Sequence, residues 1–131
     1  MLTFLRSSIL APALIVAFVP GSYAASCTDG PRDRSAATFV EVTSFRTAEK
    51  NASEVALDAS EAFLCRQDGF LGRELLLDKD GYTDVVYWRD ADAARAALAA
   101  SETDQAIAPF MQAIDPTSVT MRGMSVERRL D

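Results

Sequence analysis

Phe70 to Arg89 reads FLGRELLLDKDGYTDVVYWR, and this stretch decides the fold. Phe70–Leu77 and Tyr82–Arg89 are both rich in aliphatic, aromatic and β-branched residues. Between them stands Asp78-Lys79-Asp80-Gly81, whose Asp-Gly pair suits a tight turn with positive backbone φ angles. Two such runs joined by so short a turn predict a β-hairpin.

Upstream, Thr38–Phe45 alternates as a strand, with Val40 and Val42 on one side and Phe39, Glu41 and Thr43 on the other. Asn51 and Glu54 resemble a capping box ahead of Val55, Ala59, Ala62 and Phe63, which recur at helical spacing until Asp68-Gly69. Downstream, Asp90 is placed to cap an alanine-rich helix through Ala100. Ser101 and Asp104 restart a helical piece, and Pro109 suits the first turn of a short helix ending near Ile114. Asp115-Pro116 forces a turn before a fourth strand, Ser118–Met124, and the charged remainder to Asp131 reads as a tail or a strand extension. The order strand, helix, strand, strand, helix, strand is the split βαβ pattern of a ferredoxin-like α+β domain, βαββαβ. Helices on one face leave the other sheet face bare, and a second copy of the sheet is its simplest cover, which predicts a homodimer.

The N-terminus reads differently. Met1–Arg6 carries one positive charge, Ile9–Val19 is apolar, Pro20-Gly21 breaks the run, and Ser22-Tyr23-Ala24 offers small residues where a signal peptidase reads. That predicts a signal peptide over 1–24, an irregular arm over 25–37 and one folded domain over 38–131. An uncleaved anchor is the competing reading of the same run. Cleavage would leave 12 basic against 19 acidic residues, where the 131-residue chain has a net charge of −6. So acidic a protein repels phosphate backbones and anionic headgroups, which argues against nucleic acid, and against membrane association once the leader is gone. Export would put Cys27 and Cys65 in an oxidising compartment. Two cysteines allow one pairing but reveal no distance, so bridged and free states both stay open. Lipidation of Cys27 fits poorly, because Ala24-Ala25-Ser26 lacks the large aliphatic residue such a site carries.

The chain contains no histidine. Nucleophilic schemes of the Ser-His-Asp and Cys-His kind are therefore excluded, as are imidazole-based zinc sites. Asp78-x-Asp80-Gly81 is a poor calcium loop, since its glycine comes early and Arg89 stands where a glutamate belongs. No glycine-rich phosphate loop is present, and Asn51-Ala52-Ser53 matches a glycosylation sequon at a position that suits a helix cap.

Gly69-Phe70, Arg73-Glu74-Leu75-Leu76, Asp84-Val85-Val86-Tyr87-Trp88, Ala93-Ala94, Pro109-Phe110-Met111 and Ile114-Asp115 together resemble the antibiotic biosynthesis monooxygenase-like superfamily, over nearly all of Thr38–Arg122. The resemblance implies a dimeric α+β barrel with a cavity between sheet and helices. Some members oxygenate polycyclic aromatics without a cofactor, others degrade haem. The haem-degrading branch also has a tryptophan on the third strand, but relies on a first-strand asparagine and a histidine that this chain lacks. Haem is left without its usual imidazole ligand.

The resemblance directs attention to Trp88, Tyr87, Phe110, Met111 and Arg73 as substrate contacts and to Glu41 as a base, with no metal or organic cofactor. Each has a plainer reading. Trp88, Tyr87, Phe110 and Met111 suit core or dimer packing, and Glu41 suits a sheet edge or an interface. One of Arg73 and Glu74 must face the helices or sit at the sheet rim. Two functions follow: a small-molecule-binding protein acting as a cofactor-independent monooxygenase on an aromatic substrate, or a non-catalytic exported dimer that binds an apolar ligand or a protein.

Overall fold

The computed structural model describes residues 27–49 and 51–131. The expected signal peptide over 1–24 lies outside the described residues, as do the first two residues of the arm. Four strands form one antiparallel sheet: β1 (Phe39–Phe45), β2 (Phe70–Asp78), β3 (Gly81–Trp88) and β4 (Thr120–Ser125), in the order β2-β3-β1-β4. Helices α1 (Glu54–Cys65), α2 (Ala91–Ser101) and α3 (Ala108–Ala113) accompany it, with short 3-10 turns at Arg34–Ala36, Gln105–Ile107 and Pro116–Ser118. This is the ferredoxin-like α+β arrangement expected from the element order.

The hairpin turn differs from the expectation in detail. Asp78 and Gly81 pair across it, and the Asp78 carboxylate accepts from the backbone N–H groups of Asp80 and Gly81 at 2.7 and 3.1 Å. Only Gly81 takes a positive φ, of 138°, so the turn is stabilised by an aspartate bonding forward to the backbone. Helix α1 also corrects the sequence reading. Its cap is Ser53, whose hydroxyl accepts from the Ala56 N–H at 3.2 Å, and Asn51 lies outside. Its buried stripe is Ala56, Ser60, Phe63 and Leu64, whereas Val55 is exposed.

Helix α2 starts as expected, Asp90 accepting from the Ala93 N–H at 2.8 Å. Its small face, Ala93, Ala94 and Ala97, is buried. The approach is close: a Cβ on Gly69, which has φ 77°, would stand 2.6 Å from the Ala93 Cβ. Aromatic contacts join the layers. Phe45 stacks on Tyr82 at 5.4 Å and meets Phe110 edge-on at 5.6 Å, tying β1 and β3 to α3. Beyond β4 the chain is a tail, except that the Val126 N–H still bonds the Thr38 carbonyl and the Arg129 guanidinium reaches the carbonyl of Ser35.

The N-terminal arm is held by a disulfide between Cys27 and Cys65, with Cα atoms 5.4 Å apart. Arg32 reinforces it, donating to the carbonyls of Cys65 and Phe70 at 2.9 and 3.1 Å. Arg34 then crosses to the sheet face away from the helices, pairing with Glu74 and lying over the Tyr87 ring, 5.4 Å from its centroid. Among the described residues no helix is long and apolar enough to cross a membrane.

Candidate functional site

Strand alternation decides which side chains meet the helices. Residues paired across a sheet share a face, and each step along a strand reverses it. The register sets Glu41 against Val86, Phe39 against Trp88 and Thr43 against Asp84, so all six point the same way. Arg73, paired with Val86, joins them from β2, and Met121, paired with Thr43, joins them from β4. The helices contribute Ser60 and Phe63 from α1, Ala97 and Leu98 from α2, and Phe110 and Met111 from α3. Between the two layers lies a cavity of about 240 Å³.

Its walls are mostly apolar, and its few polar groups fall into two sets. In the first set, everything is paired. Arg73 donates from Nε and Nη2 to the two carboxylate oxygens of Asp84 at 2.8 and 2.7 Å, and from Nη1 to the Ser60 hydroxyl at 2.8 Å. The Ser60 hydroxyl in turn donates to the Leu57 carbonyl at 2.7 Å. The guanidinium also lies 5.6 Å from the centre of the Phe110 ring. Such a bidentate pair can stand burial because each charge meets its counter-charge and its geometry is fixed.

The second set has no partners among the described residues. Trp88 is 1% exposed and meets Phe70 edge-on at 5.9 Å, yet its indole Nε1–H bonds to nothing among the described residues. Glu41 sits half-buried on β1, with neither an ion pair nor a hydrogen bond to its carboxylate among the described residues. Its cross-strand neighbour on the other side is Gly123, which has no side chain to offer, and the Phe39 ring fills that space. Burial, and secondly the negative charge of Asp84, push the Glu41 carboxyl above its ordinary value of 4.5. A partnerless carboxylate of raised proton affinity, set in an apolar, aromatic-walled cavity, can take a proton from a bound molecule. Among the described residues no three acidic or thiol side chains converge to hold a metal ion.

Of the residues singled out in the sequence, Glu41, Arg73, Trp88, Phe110 and Met111 all line this cavity. Tyr87 does not. It neighbours Trp88 on the same strand, and alternation turns it to the opposite face, under Arg34. The edge position expected for Glu41 is likewise corrected, because β1 is an interior strand between β3 and β4. Sequence reasoning missed Asp84 and Ser60. Asp84 falls in phase with Tyr82, Val86 and Trp88 on β3, and that inward phase was the available signal.

No family model and no curated protein matches the chain. Solved structures do. A protein of Chloroflexus aurantiacus assigned to the antibiotic biosynthesis monooxygenases is similar at 11% identity and a TM-score of 0.54, over 72% of this chain and 98% of that one. The ActVA-Orf6 monooxygenase of Streptomyces coelicolor, solved with the ligand nanaomycin D, is similar at 14% identity and a TM-score of 0.51, over 73% and 93%. A variant of SnoaB, a cofactor-independent oxygenase from Streptomyces nogalater, is 26% identical with a TM-score of 0.49, over 71% and 94%. The chain therefore has the fold of the antibiotic biosynthesis monooxygenase-type proteins, as the resemblance read in its sequence implied.

Proposed function

We propose that this protein binds a small aromatic molecule between sheet and helices and oxygenates it without a cofactor. The observation that carries this reading is Glu41, an unpaired carboxylate of raised proton affinity in an aromatic-walled cavity. A hydroxyarene would lie against the aromatic wall to which Trp88 and Phe110 contribute, while Glu41 takes the acidic proton. The resulting anion carries negative charge onto the ring carbon para to the oxygen. That carbon gives an electron to dioxygen, the two radicals join as a hydroperoxide, and loss of water leaves a quinone. The ActVA-Orf6 monooxygenase, which shares the fold, supports the choice of reaction class.

With 1-naphthol as probe, the balance is one naphthol and one dioxygen to one 1,4-naphthoquinone and one water. Oxygen uptake should follow quinone formation one to one, and Glu41→Gln should reduce it by roughly 10²–10⁴-fold. Undiminished uptake by that variant would remove the reading.

The protein is further read as an exported homodimer. The Cys27–Cys65 bridge supports an oxidising compartment. Val40, Val42, Val85 and Leu76, all on the face away from the helices, support the packing of sheet on sheet. Native mass spectrometry of protein purified from its own host tests both: it should give twice the processed mass, and a monomer still carrying residues 1–24 would contradict them.

A further inference from the structure

The cavity has an unbalanced charge. Among the described residues its lining includes Arg73 as the sole base, facing two acids, Asp84 and Glu41. The guanidinium is engaged by Asp84 through both oxygens, and the two side chains are only 8% and 11% exposed. Ser60 takes a third guanidinium N–H. Among the described residues no positive charge in the cavity lining is left over for Glu41. Cross-strand geometry sets Glu41 opposite Val86, with Asp84 and Trp88 on the two diagonals, roughly 7–8 Å away. Glu41 therefore sits between a second negative charge and an indole ring.

We propose that Glu41 makes this cavity a cation-selecting one, which admits small aromatic molecules carrying a protonated amine and rejects the same molecules carrying a carboxylate. This rests on the cavity being a small-molecule site, and it goes beyond the oxygenation reading. An ammonium on the ligand supplies the counter-charge that Glu41 lacks, and the aromatic wall of Phe45, Phe110 and Trp88 suits the ring that carries it. A ligand carboxylate would instead be desolvated beside two acids with only one, already engaged, cation. A hydroxyarene passes the same filter only in its neutral form. The rise in Glu41 proton affinity has the same origin, since burial and Asp84 penalise an uncompensated negative charge there.

The test uses three probes of one shape: 3-phenylpropylamine, 3-phenylpropan-1-ol and 3-phenylpropanoate, titrated at neutral pH and constant salt. Trp88 is the only tryptophan of the chain and lines the cavity, so its fluorescence reports occupancy, with calorimetry as a check. In the wild type the amine should bind at least ~10-fold more tightly than the carboxylate. In Glu41→Gln that ratio should collapse to within about threefold, while the alcohol, which carries no charge, keeps its affinity and shows that the cavity is intact. Glu41→Met, which fills similar space without charge, serves as a second variant should the glutamine variant fail to fold. Equal or tighter binding of the carboxylate overturns the proposal. So does a preference that survives in the variants, because the overall charge of −6 would then account for it. Alcohol binding without discrimination overturns the charge filter alone and leaves the oxygenation reading standing. If none of the three binds, both fall.

Discussion

Arg73 on β2 and Asp84 on β3 do not face each other in the hairpin register, yet they form the two-pronged ion pair that closes one side of the cavity. Their cross-strand partners are Val86 and Leu75, so the pair runs diagonally, and the length of the arginine spans the offset. Removing one partner leaves the other charged, buried and alone. Asp84→Ala should therefore lower stability by about 3–5 kcal/mol in urea unfolding, and Arg73→Met by a similar amount. The double variant Arg73→Met/Asp84→Leu should recover most of that loss, because it strands neither charge. A double variant as unstable as the sum of the singles would show that the pair contributes packing alone.

Glu41 titrates with a sign opposite to most surface carboxylates. Burial first and Asp84 second raise its folded value above 4.5, so the folded protein holds this proton more tightly than the unfolded chain does. The resulting stabilisation is complete below the unfolded value and disappears as pH rises through the folded one. Glu41→Gln should match the wild type in the acid limb and become the more stable protein above the folded value. Thermal unfolding across pH reads this directly, and parallel curves for the two proteins would contradict it.

The disulfide closes a loop with a sequence separation of 38 and anchors the arm that carries Arg32 and Arg34. Loop closure of this length corresponds to roughly 4 kcal/mol as an upper figure. Reduction, or paired Cys27→Ser/Cys65→Ser, should lower the unfolding temperature and release the arm. Increased amide exchange over residues 27–37 with little change in β1 and β3 is the expected pattern. Uniform exchange across the sheet would mean the bridge holds the whole core.

The hairpin was legible because its two apolar runs and a short polar turn are local signals, and α2 because a capping aspartate precedes a run of alanines. Alternation also made the separation of Tyr87 from Trp88 a necessity, although the sequence reading placed both at the ligand. Other features needed the tertiary structure. Thr38–Phe45 carries apolar residues on both faces, since one meets the helices and the other is the bare side of the sheet, so periodicity alone left the direction of Glu41 open. Asn51 and Ser53 are both good cap residues two positions apart, and packing of the loop, where the Tyr82 hydroxyl accepts from the Ala52 N–H at 3.1 Å, decides between them. The Arg73–Asp84 pair depends on a register between strands that no single segment reveals.

A base at Glu41 that acts on a bound hydroxyarene has a direct kinetic signature in the pH dependence of oxygen uptake. With 1-naphthol, kcat/KM for oxygen uptake by the wild-type protein should fall on the acid side as the Glu41 carboxyl, raised above its ordinary value of 4.5, takes up its proton, and Glu41→Gln should run roughly 10²–10⁴-fold slower with that limb gone. An acid limb that persists in Glu41→Gln, or uptake no slower in that variant, would contradict this role of Glu41.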